Sequence, residues 1–196
     1  MLDGRAGHAA QALGLAEALA RRHPETVIET RCVRPKAWAA VLPPAVWQWL
    51  GRTLPRWPAL ALEAPETLLA PLPGPRARRL VIAAGRRTAP VAAWLARTGG
   101  ARSVQLMHPQ MDLRAFDLVV APSHDGLQAP NAVATTGALG RLTRPAIAAA
   151  AKAEAARFTD LPTPRLAVLV GGPSDSARFG EDDATRLIEA CLSAAA

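Results

Sequence analysis

Short apolar runs, each closed by glycine, proline or a polar cluster, alternate along this chain with segments of helical period. That rhythm constrains the fold more than any other feature. Leu80–Ala84 is a wholly apolar run closed by Gly85. Ser103–Met107, Phe116–Ala121 and Ala132–Thr135 read as further strands, and the alternating, β-branched Thr26–Val33 as another. Between them the period changes. From about Ala9 to Arg22, Ala12, Leu15, Ala16 and Leu19 share one helical face opposite Gln11, Glu17 and Arg21, and Pro24 ends the run. A Trp- and Pro-rich helical region covers roughly Ala37–Leu69. Pro90–Arg97 and the Ala-rich Arg144–Arg157 are also helical. Short apolar strands separated by helices predict an α/β fold, a Rossmann-like parallel sheet with helices on both faces. Ligands of such sheets bind beyond the carboxyl ends of the strands.

The chain divides by charge. Residues 1–98 carry 14 Lys/Arg against 6 Asp/Glu, and residues 99–196 carry 9 against 10. The expected organisation is a first domain over 1–157, a Pro-containing linker over 158–164, and a strand–helix unit over 165–196 that begins a second domain. The strand of that unit is Arg165–Val170 and its helix Glu181–Ala196. Arginine outnumbers lysine 21 to 2, which suits fork-shaped anion contacts and equally reflects a base-composition bias. The arginines are scattered and no nucleic-acid motif accompanies them, so nucleic acid is not an expected partner. Cys32 and Cys191 form neither a disulfide framework nor a metal spacing, which points to a reducing, cytoplasmic compartment. Residues 1–8 have no apolar core of a signal peptide, and the apolar stretch Ala37–Leu50 is broken by Pro43-Pro44, so no membrane span is expected. The Asp3–His8 turn has the character of a loop after a strand, with almost no strand before it. The last helix ends in Ala-Ala-Ala without a cap. The expectation is a piece lacking a first strand and most of a second domain.

Polar clusters mark the expected strand ends. Asp3-Gly4-Arg5-Ala6-Gly7-His8 precedes the first helix, where Gly4 and Gly7 let backbone N–H groups approach an anion near a positive helix end. The spacing is neither GxGxxG nor a Walker loop, and an ordinary strand–helix turn has the same composition. Gly85-Arg86-Arg87-Thr88-Ala89-Pro90 pairs a plausible N-cap, Thr88, with two arginines that oppose the helix dipole; an anionic ligand or a facing carboxylate accounts for Arg86 and Arg87. His108 follows the next strand, and His124 beside Asp125 the one after, the latter a candidate general base with a carboxylate neighbour. Lone histidines are commonly structural, and three at equivalent positions (with His8) balance that reading. No paired ligand spacing supports a zinc site, so no metal is expected. His23 suits a helix carboxyl end. Asn131 and Thr135-Thr136-Gly137 are loop residues or ligand contacts, and Gly171-Gly172-Pro173-Ser174 is either a turn or an anion cradle.

Trp38, Trp47, Trp49 and Trp57 crowd twenty residues among prolines and the cations Arg34, Lys36, Arg52 and Arg56. Buried core tryptophans are one reading. A peripheral membrane or partner surface, carried by Trp47, Trp49 and Arg52, is the other.

Together these blocks resemble the mitochondrial-fission "elongated mitochondria" family. The resemblance rests on Asp3–His8 with Gln11–Leu19, Gly85–Pro90, Gln105–Pro109, Phe116–Val120, His124-Asp125, Gly126–Asn131, Thr136–Ala138 and Leu169–Gly172, in order. It covers nearly the whole chain. Met107-His108-Pro109 departs from the family, which often has a different polar residue before the proline, and only one strand–helix unit of a second domain is present. The family resembles two-domain GT-B glycosyltransferases. That implies a GT-B-like, acceptor-side first domain and a nucleotide-sugar donor held by the second, with no bound cofactor. By the same resemblance His8 stands near the base position, and Gly171, Gly172 and Ser174 meet the donor diphosphate. A basic, Trp-rich first domain suits a lipid-linked anionic acceptor, peripheral to the inner membrane. The alternative implied by eukaryotic relatives is a non-catalytic adaptor that recruits division or envelope machinery through a protein partner. An epimerase of the extended type is disfavoured, because it uses a Tyr base and a GxxGxxG loop, and this chain has no tyrosine.

Overall fold

The computed structural model describes residues 1–54, 56–170 and 179–195. It forms two compact units, residues 1–142 and 143–196. The boundary between the units lies ahead of the helix that starts at Arg144.

The first unit is built on β1 (Leu80–Ala84), β2 (Arg102–Leu106), β3 (Leu118–Pro122) and β4 (Ala132–Thr135), all parallel, in the order β1-β2-β3-β4. Alternation along β1 sends its side chains to opposite faces. Ile82 and Ala84 pack with Ala12 and Leu15 of α1 (Ala6–Arg22). Val81 and Ala83 pack with Ala92 and Ala96 of the helix Ala89–Gly99. Covered on both faces, β1 is apolar throughout, as a parallel sheet requires of such a strand. The helix Ala89–Gly99 stops at Gly100, whose φ of 62° is the left-handed cap that glycine adopts without strain.

The Trp- and Pro-rich region is four short helices, α2 (Ala37–Ala40), α3 (Pro44–Thr53), α4 (Trp57–Ala61) and α5 (Pro65–Leu68); Ala89–Gly99 is then α6. Prolines at the start of α3, α4 and α5 suit the first turn, where the missing N–H has no partner to lose. Trp47 and Trp57 are buried with Val33, Ala39, Leu62 and Val91, and their rings meet edge to face at 5.3 Å.

Thr26–Val33 corrects an expectation. It is extended but is not a ladder strand: its sheet contact is a single parallel bridge between Leu2 and Cys32. Leu2 N–H donates to Arg31 O, Leu2 O accepts from Val33 N–H, and the Met1 amine donates to Ile82 O. Residues 1–2 therefore lie between this segment and β1. The chain leaves residues 1–2 through α1 towards residues 31–33 on one side, and later returns as β1 on the other. That reversal is a topological switch point, and the Asp3–His8 and Gly85–Thr88 loops both leave the sheet there.

In the second unit α7 (Arg144–Glu154) is capped by the Thr143 hydroxyl, which accepts from Ala146 N–H, and α8 spans Glu181–Ala195. Residues 165–170 form no strand, because no neighbour among the described residues offers a ladder, and Leu169 is fully exposed. Gly171, Gly172 and Ser174 lie outside the described residues.

Candidate functional site

Asp3 and His8 meet at the switch point. Gly4, at φ 82°, turns the chain back, and Asp3 Oδ1 accepts the Arg5 N–H at 3.2 Å. This Asx turn starts α1 three residues ahead of the expected Ala9. One helical turn in, His8 Nδ1 reaches Asp3 Oδ2 at 2.8 Å. The carboxylate is 2% exposed and the imidazole 17%. A carboxylate only accepts, so in the neutral imidazole this pairing puts the proton on Nδ1 and the lone pair on Nε2. The ring lies against Gly85, where a Cβ would collide with Cε1 and Nδ1. Gly85 also holds φ 81°, so both the space and the backbone call for glycine.

A residue that pattern reading passed over fixes this turn. Gln105 is fully buried in β2, and its Nε2 donates to Gly85 O at 3.1 Å and to Leu106 O at 2.7 Å. Its Oε1 has no partner among the described residues. The available signal was a glutamine between Val104 and Leu106 in a strand, which is buried only when it bonds to something specific. Thr88 behaves similarly. It is fully buried, and its hydroxyl donates to Ala84 O and Gly85 O rather than capping α6 or facing a ligand.

Arg86 and Arg87 are exposed beyond this turn. Both line a groove of about 310 Å³ whose other wall is Val41, Leu42, Pro43 and Pro44. Arg86 donates to Gln110 Oε1 at 3.3 Å. The loop carrying Gln110 is strained: Met107 and Gln110 sit at φ 66° and 55°, uncommon for non-glycine residues. His108 between them is exposed, its Nδ1 accepting from Gln110 N–H. Gln11, three residues after His8, donates to Met107 Sδ and ties this loop to α1. Gly4 and Gly7 are open to solvent on the side where a Cβ would stand.

The second histidine–aspartate pair is not brought together. His124 lies 3.7 Å from Asp125, beyond hydrogen-bond reach, and its side chain is 76% exposed. Of the tryptophan set, Trp47 is a correction. It is core, 6% exposed, with Nε1 donating to Ala39 O at 3.0 Å. Trp49 is 62% exposed, as is Trp38 at 53%, and Arg52 is exposed within 3.7 Å of Asp112. Hydrogen bonds from Arg114 hold the Asp112 carboxyl below the usual range. Among the described residues, no cluster of three His, Cys, Asp or Glu could hold a metal ion, and no helix is long and apolar enough to cross a membrane.

Fold and site define a Rossmann-like α/β protein with a histidine–aspartate pair at the switch point of its sheet. The Mitochondrial fission ELM1 family model matches residues 6–196, and the chain belongs to that family. It is similar to the Mitochondrial fission protein ELM1 of Arabidopsis thaliana, 31% identical over 138 residues. That match covers 58% of this chain and 32% of the relative, so the chain spans about a third of its length. No solved structure matches.

Proposed function

We propose that the first unit is the acceptor side of a glycosyl-transfer site whose acceptor is anionic and membrane-proximal. The observation that carries this reading is the His8–Asp3 hydrogen bond beside Gly85, next to a groove with arginines on one wall and apolar side chains on the other. His8 Nε2 takes the proton of the acceptor hydroxyl, whose oxygen attacks the anomeric carbon of a nucleotide sugar as the nucleoside diphosphate leaves. Arg86 and Arg87 hold the acceptor's phosphate, and the apolar wall meets its hydrocarbon. The test is transfer of labelled sugar from a nucleoside diphosphate sugar to a prenyl-diphosphate-linked sugar in vesicles. His8→Asn lowers transfer at least ~100-fold while acceptor binding is retained, and Arg86→Ala with Arg87→Ala weakens binding ~10-fold or more. Failure to bind any nucleotide sugar or the acceptor by calorimetry ends the reading.

The adaptor alternative draws on a different observation. Trp38, Val41, Trp49 and Leu60 are exposed on or beside α2, α3 and α4, with Arg34, Lys36, Arg52 and Arg56 exposed around them in sequence. Large exposed aromatics suit a partner surface. Complementation of cells lacking the protein separates the two: loss on Trp49→Ala with full activity of His8→Asn favours the adaptor.

A further inference from the structure

A separate cavity of the first unit lies towards the amino ends of its strands, away from His8. Ser103 in β2, Asp117 ahead of β3 and Arg97 in the last turn of α6 border it, with Gln48 and Gly51 of α3 and Trp57 of α4. Its volume is about 320 Å³, in the range of small-molecule sites. Two donors in this wall have nothing to bond. Asp112 N–H donates to Gln48 Oε1 at 3.3 Å, which orients the amide and leaves Nε2 over. That nitrogen is buried without a partner among the described residues, and so is Nε1 of Trp57, a residue 5% exposed. Buried donors are nearly always paired, because an unmade bond leaves the lost hydration uncompensated.

The surroundings specify a ligand. Trp57 turns its pyrrole edge this way: Cδ1, bonded to Nε1, lies 3.7 Å from where a Cβ on Gly51 would stand, and Cδ1 of Trp94 lies 3.6 Å from the same point. The missing side chain at Gly51 leaves space beside two indoles. Charge in the lining is positive on balance. Arg97 donates to Gly51 O at 2.9 Å, and Arg52 and Arg114 share the single carboxylate of Asp112. Asp117 is already held by Arg102 and by the Ser103 N–H and hydroxyl. Unpaired N–H groups and surplus arginine call for oxygen acceptors that carry negative charge, and indole rings for a flat apolar body. We propose that this cavity binds a small aromatic carboxylate, its oxygens accepting from Gln48 Nε2 and Trp57 Nε1 and its ring lying against Trp57 and Trp94. Neither nitrogen touches solvent at rest, so the partly buried Trp94 ring yields as the ligand enters.

The probe is naphthoate, titrated into isotope-labelled protein while side-chain N–H resonances are followed. The chain has five indole N–H groups, and Trp57→Phe identifies one resonance by its loss. Saturable binding moves the Trp57 and Trp94 indole signals and the Gln48 amide pair. Naphthylmethanol, the same ring without charge, binds ~10-fold or more weakly, and inorganic phosphate leaves the Trp57 signal in place. Gln48→Glu keeps the acceptor for Asp112 N–H, replaces the donor with a charged oxygen, and weakens naphthoate at least ~10-fold. Gly51→Ala narrows the space beside the indoles and weakens naphthoate ~3-fold or more, while the ligand-free melting temperature rises ~2 °C because alanine suits α3 better than glycine. Unchanged affinity in Gln48→Glu, a Trp57 signal that naphthoate does not move, or equal binding of the neutral alcohol (apolar adsorption only) overturns the proposal.

Discussion

Among the described residues there are two histidine–aspartate pairs, and they differ in every respect that matters to chemistry. Asp3 and His8 are five positions apart, folded onto each other by a left-handed glycine and shielded by Gly85. His124 and Asp125 are adjacent in sequence, yet both side chains leave a single turn (Ser123–Asp125) and stop 3.7 Å apart, the imidazole in solvent and the carboxylate partly buried. Neighbouring residues rarely face one another, whereas a turn followed by the first turn of a helix brings residues five apart together. The sheet adds the second difference, because only the first pair stands at the switch point.

Substitutions in parallel sharpen this contrast. The largest effect falls on the imidazoles: His8→Asn lowers sugar transfer at least ~100-fold, while His124→Asn changes it less than ~2-fold. The adjoining glycines come next. Gly85→Ala meets both a positive φ and the His8 ring, and chemical denaturation gives a loss of about 2–4 kcal/mol. Gly126→Ala has φ 63° but open space, so it loses only about 1 kcal/mol. Burial around the first pair also reaches the chain amine two residues earlier, whose pKa desolvation lowers from 8.0 to about 6. Between those values the unfolded amine carries a proton that the folded one has shed, so stability rises with pH across the window, by about 2 kcal/mol. Amino-terminal acetylation flattens this rise in thermal melts at pH 6 and pH 8. The smallest contrast is in the carboxylates: Asp3→Asn costs about 1–2 kcal/mol through its buried bond, and Asp125→Asn less than about 0.5 kcal/mol. Equal responses of the two pairs would dissolve the comparison and with it the reading of His8 as a base.

Much of this architecture is legible in the residues. Leu80–Ala84 and Ala132–Thr135 are strands at the expected bounds, because a short apolar run closed by turn residues admits few alternatives. The polar clusters at the strand ends are where a parallel sheet puts them. What pattern reading misses depends on partners remote in sequence. Thr26–Val33 alternates like a strand, but a strand exists only where another edge faces it, and here that edge is Leu2 alone. Asp3 could not be paired with His8 without the sign of φ at Gly4. Trp47 and Trp49 are chemically alike, yet two positions on a helix turn them about 200° apart, which puts one ring in the core and the other in solvent.

That last separation makes the protein its own optical instrument. With no tyrosine in the chain, emission excited at 280 nm comes from five tryptophans. Trp47 and Trp57, locked edge to face, give the near-ultraviolet dichroism that reports the packing of α3 against α4. Trp38 and Trp49 supply the red-shifted emission open to acrylamide. Brominated lipid or a bound partner at α3 quenches Trp49 while the first signal certifies the fold, whereas contact at α2 reaches both signals, because the Trp38 ring meets Trp57 edge to face at 5.9 Å.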